Sequence, residues 1–279
     1  MRRFLAALVL CTFLCPAVHA GETQKYIALT FDDGPSGRYT ERLLDGLLER
    51  EIHATFFLCG YRVEQYPALA ARTAQEGHEI GSHSDRHEFF THMSADAVCA
   101  DLRAAAEKIA SATGRTPELL RPPGGLYDLD VIRRSVCADS PIILWSVDPE
   151  DWRGKSAAGI AAYVTKRAKS GDIILLHDMH ASSVDAALRI VDTLEAQGFA
   201  FVTVSELALL SGTRLRGGET YYRFDFPKYE SKNASISSEQ AETEPCTKSG
   251  FPPPLPERAA LSLRTKSRRS PFLQPAAYL

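Results

Sequence analysis

Tyr26-Ile27-Ala28-Leu29-Thr30-Phe31-Asp32-Asp33-Gly34-Pro35-Ser36 begins as an apolar run and ends in two adjacent carboxylates and a chain breaker. The apolar part predicts a β-strand over residues 26–31, and Gly34-Pro35 ends it. Two neighbouring carboxylates at the end of a buried strand are costly unless something neutralises them. A metal ion does so by taking one as a ligand, which leaves the other to act as a base toward water. In isolation the same acidic turn also fits an ordinary loop or helix cap.

Outward from this stretch, short apolar runs alternate with longer amphipathic ones. Strands are predicted over 54–58, 78–81, 119–120, 142–147, 173–176 and 199–204. Helices are predicted over 38–50, 63–76, 94–113, 128–137, 157–169 and 182–197, the third capped by Ser94 and stopped by Gly114. Such alternation predicts an α/β fold of parallel βα units, either an open sheet or a barrel. In a barrel the functional residues gather at the C-terminal ends of the strands.

Four further polar clusters follow strand ends. His83-Ser84-Asp85-Arg86-His87 places two imidazoles four apart, and on a helical turn these share one face. Two imidazoles and one carboxylate suit zinc or a similar ion, although an isolated pair of this kind is also common on surface loops. Arg121-Pro122-Pro123-Gly124-Gly125 offers a guanidinium to orient a carboxylate and glycines that let backbone approach a ligand. Asp148-Pro149-Glu150-Asp151-Trp152 supplies carboxylates beside an aromatic, in what is otherwise an ordinary turn. Leu175-Leu176-His177-Asp178 ends a wholly apolar strand in an imidazole able to donate a proton. Each has a bland structural reading alone. Five such clusters at five different strand ends point to one site.

The ends of the chain differ in character. Met1-Arg2-Arg3, an apolar run to Leu14 and Val18-His19-Ala20 form a secretory signal pattern over residues 1–20, and no later segment is apolar enough to span a bilayer. Residues 215–279 are rich in Ser, Glu, Thr and Pro with a basic end, a composition that predicts a disordered tail, most clearly from Lys228 onward. A net charge of −3 gives no pull toward nucleic acid. Cys59, Cys99, Cys137 and Cys246 lie beyond the leader. Sequence leaves open a pair between Cys99 and Cys137, on neighbouring predicted helices, and four reduced thiols.

With all five motifs in order over residues 26–210, the chain resembles the polysaccharide deacetylases, which share the nodulation-protein deacetylase domain (carbohydrate esterase family four). The resemblance implies a distorted (β/α) barrel with fewer than eight strands, spanning residues 21–214. It implies that Asp33, His83 and His87 hold a divalent metal, most often Zn2+ with Co2+ an alternative. Asp32 would be the general base, held by Arg121, and His177 the general acid, tuned by Asp151. Trp152 and Leu175 would wall the acetyl pocket. Gly124 stands at its rim where many members carry an aromatic, and Glu88-Phe89-Phe90 replaces a common Pro and Leu.

The expected activity is hydrolysis of N-acetyl groups on N-acetylglucosamine units, with peptidoglycan the leading polymer and chitin oligomers or acetylxylan as alternatives. The pair Asp32-Asp33 favours N-acetylglucosamine, since a muramic-acid-directed branch has Asp-Asn. A sugar-binding pseudoenzyme is the competing class, and the intact polar set speaks against it. A secreted or envelope monomer completes the expectation.

Overall fold

The computed structural model describes residues 24–128 and 140–226. The expected leader (1–20), the helix over 128–137 beyond Asp128, and the tail from Lys228 lie outside the described residues. In chain order the elements are β1 (Lys25–Asp32), α1 (Arg38–Leu48), β2 (Thr55–Leu58), α2 (Gly60–Gln65), α3 (Pro67–Gln75), β3 (Glu79–Ser82), α4 (Ala95–Thr113) and β4 (Leu119–Leu120). There follow β5 (Ile142–Ile143), α5 (Ala157–Arg167), β6 (Ile173–His177), α6 (Ala181–Ala196), β7 (Phe199–Phe201), α7 (Val204–Ser211) and β8 (Thr220–Tyr221).

The strands are paired in the order β6-β1-β2-β3-β4-β5-β8, and β7 pairs with the start of β1. Every pairing between these strands is parallel. An isolated bridge from Val147 to Ile174 ties the segment after β5 back to β6. The sheet therefore curls round on itself into the distorted barrel, with eight strands among the described residues where fewer were expected, because β7 adds to the start of β1 and the short β8 to β5.

Strand alternation divides the core into two layers. Ile27, Leu29 and Phe31 of β1 point outward and pack with Leu43, Leu44 and Leu47 of α1 and with the apolar face of α6. Ala28 points the other way and packs with Phe57, Leu119, Ile143, Ile173 and, from α7, Val204 and Leu207. Thr30 and Asp32 share that inward face, so the strand delivers polar side chains to the barrel's interior at its C-terminal end.

Several boundaries depart from the sequence expectation, each for a local reason. The single helix expected over 63–76 is two, because Pro67 occupies the first position of α3 and Tyr66 before it leaves the helical region at φ −133°. The strand expected over 142–147 stops at Ile143, since the carbonyls of Ile143 and Leu144 accept hydrogen bonds from the Arg121 guanidinium. The strand expected to reach 204 ends at Phe201, and Thr203 then caps α7 in a reciprocal capping box with Glu206. The compact part was expected to end at 214. Instead β8 pairs with β5, and Phe224 beyond it is buried at 2 % exposure.

Cys59 is a buried free thiol, whereas Cys99 is disulfide-bonded. This excludes four reduced thiols. Cys137 and Cys246 lie outside the described residues. Among the described residues no helix is long and apolar enough to cross a membrane.

Candidate active site

β1 ends at Asp32, and Asp33 adopts a left-handed conformation at φ 71°. In a continued strand the second carboxylate would point to the opposite face. The left-handed turn instead lets both reach one imidazole: His83 Nε2 lies 3.7 Å from Asp32 Oδ2 and 3.3 Å from Asp33 Oδ1. Asp and Asn tolerate this backbone region better than most residues.

His87 Nε2 lies 3.1 Å from the same Asp33 oxygen, and one ligand atom from each of Asp33, His83 and His87 falls within 4.8 Å of the others. The two histidines do not share a helical turn, contrary to the expectation from their spacing. The segment is an irregular loop in which Ser84 (φ 70°) and His87 (φ 60°) are left-handed. The Asp101 carboxylate, on the buried face of α4, accepts from the backbone N–H groups of Asp85 and Arg86, and Ser84 Oγ accepts from that of His87. These bonds bring the imidazoles together.

The donor set fits a cation. His83 Nδ1 sits 2.6 Å from the Arg121 carbonyl and donates to it, which orients the ring so that Nε2 faces Asp33. Asp33 Oδ1 is buried without a well-formed hydrogen bond. Burial alone would raise the Asp33 carboxyl, but the facing His83 and His87 hold it well below the usual carboxylate range. A carboxylate and two imidazole nitrogens turned toward one point form a donor set suited to a divalent cation.

Arg121 is fully buried at the first position after β4. Its Nη1 donates to Asp32 Oδ1 (2.7 Å) and Thr30 Oγ1 (2.8 Å), while Nε and Nη2 donate to the Ile143 and Leu144 carbonyls. The guanidinium also lies over the Phe57 ring, 4.0 Å from its centroid. Burial draws it below its ordinary value, and the Asp32 charge opposes that fall. Asp32 is thereby a buried carboxylate fixed on one oxygen.

The β1–β6 register sets His177 beside Asp32. His177 Nδ1 donates to Asp151 Oδ1 (2.8 Å), and its backbone N–H donates to Asp151 Oδ2 (3.0 Å). Burial would lower the imidazole, but the bond to Asp151 and the charges of Asp151, Asp32 and Asp33 push it up to about 9.

The structure thus brings together Asp32 with Arg121, Asp33 with His83 and His87, and His177 with Asp151. Leu175 lies two residues before His177 on the same face of β6 and is buried. Trp152, next to Asp151, is 51 % exposed, and Gly124 lies in a short turn after β4 at φ 63°.

Two supporting groups were not anticipated. Asp101 carried a readable signal, an acid on the otherwise apolar stripe of α4 that includes Val98, Leu102, Ala105 and Ile109. Asp178 is fully buried beneath the Gly34-Pro35-Ser36 turn, bonded to Thr40, and its backbone carbonyl accepts from Ser36. Burial and the nearby Asp33 push its carboxyl up to about 7.

Residues 19–138 match the profile of the polysaccharide deacetylase family. A peptidoglycan-N-acetylglucosamine deacetylase of Bacillus cereus is 40 % identical over 66 % of this chain and 88 % of its own. The peptidoglycan-N-acetylmuramic acid deacetylase PdaC of Bacillus subtilis is 41 % identical over 66 % of this chain and 39 % of its own length. Against that relative the chain spans about two-fifths of the longer protein. A family 4 acetyl xylan esterase from Clostridium thermocellum, solved with a cobalt ion, superposes with a TM-score of 0.67 at 32 % identity, over 71 % of this chain and 98 % of that one. The chain belongs to the polysaccharide deacetylase family.

Proposed function

We propose that this chain hydrolyses the N-acetyl group of N-acetylglucosamine units in peptidoglycan, releasing acetate, with Zn2+ held by Asp33, His83 and His87. The observation that carries this reading is the convergence of three acceptor side chains on one point, flanked by an Arg-held carboxylate and an Asp-held imidazole. A divalent cation there supplies a Lewis acid for the acetamide carbonyl and lowers the pKa of water.

The chain's own groups then divide the proton transfers. Asp32, fixed by Arg121, takes the proton of the attacking water. His177, protonated and fixed by Asp151, returns a proton to the departing sugar amine. Trp152 and Leu175 wall the acetyl pocket, and Gly124 stands at its rim. Relatives named for peptidoglycan substrates and the signal pattern at residues 1–20 support action outside the cytoplasm, with residues 21 onward as the working enzyme.

The test is acetate release from peptidoglycan, chitin oligomers and acetylxylan, with and without a chelator. Peptidoglycan is expected to be the best substrate, with activity lost on chelation and restored by Zn2+. Activity that ignores the chelator on every substrate would sink the proposal, as would release from acetylxylan alone.

A further inference from the structure

Phe89 stands apart from the catalytic groups yet lies on the rim of their site. It is 40 % exposed. Its centroid is 6.5 Å from that of His87, and it meets His92 edge-on at 6.1 Å. On its other side lies Gly124: a Cβ built there would come within 2.9 Å of Phe89 Cε1. The ring therefore fills the space that any side chain at position 124 would claim. Leu126, 50 % exposed, continues the same apolar rim, 3.8 Å from that Cβ position. The loops after β3 and β4 meet here, one giving the ring and the other the glycine that seats it.

We infer that Phe89 is a specificity-determining residue whose exposed face stacks on a pyranose ring next to the one being deacetylated. The ring's edge is held by His92 and by the Gly124 backbone, so little conformational entropy is lost when a flat sugar face covers it. Held in water, its exposed face forgoes the hydrophobic gain that burial brings. A ligand that covers it recovers that term. This inference rests on the proposed deacetylase reading and extends it to a neighbouring sugar.

The experiment compares the full chain with Phe89→Ala and Phe89→Trp on N-acetylglucosamine oligomers of two to six units. Acetate release gives KM and kcat, and calorimetric titration gives affinity for the hexamer. For Phe89→Ala we expect KM and Kd for the hexamer to rise about 3- to 10-fold, the range of one aromatic stack, with a smaller change on the dimer. Phe89→Trp should restore both, and Gly124→Ala, which displaces the ring, should reproduce the KM rise. The inference is overturned if Phe89→Ala leaves hexamer affinity unchanged. It is also overturned if Phe89→Ala loses kcat equally at every length, or if Trp fails to restore affinity. A wild-type chain that binds the hexamer through Phe89 but releases no acetate would refute the deacetylase reading and leave the stacking role standing.

Discussion

Replacing Asp151 by Asn tests the acid side of the site most directly. Two donors converge on this one carboxylate, His177 Nδ1 at 2.8 Å and the His177 backbone N–H at 3.0 Å, each on its own oxygen. Asn offers one oxygen and one NH2, so one donor must lose its acceptor. If the amide NH2 faces the ring, Nδ1 must accept, and the imidazole proton moves to Nε2 in a neutral ring. The charge that favours imidazolium is lost in either orientation. The rise from 6.5 to about 9 corresponds to roughly 3 kcal/mol in favour of the protonated ring. A general acid must be protonated to act, so activity is present below its pKa and is lost as pH rises through it. The alkaline limb of kcat should therefore lie above neutrality in the wild type, somewhat below 9 because a bound cation opposes the contribution of Asp33. In Asp151→Asn it should move down toward 6.5, and kcat at pH 7 should fall about 100- to 10,000-fold, the usual worth of a positioned acid. The assay is acetate release against pH with metal content held equal. An alkaline limb that stays in place would refute the coupling of Asp151 to His177 as the origin of the acid.

Zn2+ at about one hundred times its Kd should stabilise the wild type by about 2.7 kcal/mol and raise Tm; His83→Ala should lose this rise, whereas Asp32→Asn should keep it and lose turnover. Equal loss of zinc-dependent stabilisation in both variants would show that the two carboxylates are misassigned. Asp101→Ala removes the acceptor of the Asp85 and Arg86 N–H groups and should lower zinc affinity about 10- to 100-fold although both histidines remain; titration with a competing chelator would show no change if the loop holds itself. Phe224→Ala should cost about 3–5 kcal/mol in denaturant unfolding, the usual range for a buried Phe, and a loss under about 0.5 kcal/mol would mean that the chain past 214 contributes nothing to the fold.

The regular part of the fold was readable because its signals are local. β1 is an apolar run that ends in two carboxylates, α4 is capped by Ser94 and ends at a left-handed Gly114, and five of the strands are followed by polar clusters. The misplaced boundaries had local signals too, at Pro67 and in the Thr203–Glu206 capping box, but a run of apolar residues outweighed them. The early end of β5 was not readable at all, because it depends on where Arg121 sends its guanidinium. The His83–His87 pair was recognised for a partly wrong reason: the spacing matched a helical turn, while the geometry comes from Asp101, fifteen or more residues away. β8 was hidden because two residues of strand in a polar segment have no periodicity to detect.

The arrangement of charge supports the proposed cation at one place in the site. Among the acidic groups at the strand ends, Asp32 is paired with a buried guanidinium, and Asp151 with an imidazole that this bond and the nearby carboxylates push toward its protonated form against the effect of burial. Asp178 is pushed toward its neutral form by burial, so it asks for no counter-charge. Asp33 alone is kept ionised while its partners are two imidazoles, one of which has spent its N–H on the Arg121 carbonyl. Arg121 thus has two separate effects: its side chain neutralises Asp32, and its carbonyl turns His83 into an acceptor. The first occupies one Asp32 oxygen and makes it unavailable as a ligand. The second leaves Asp33, His83 and His87 as the part of the site that fits the proposed metal ion. On the proposed assignment, this one residue, held three strands along the sheet from β1, separates the adjacent carboxylates into base and ligand.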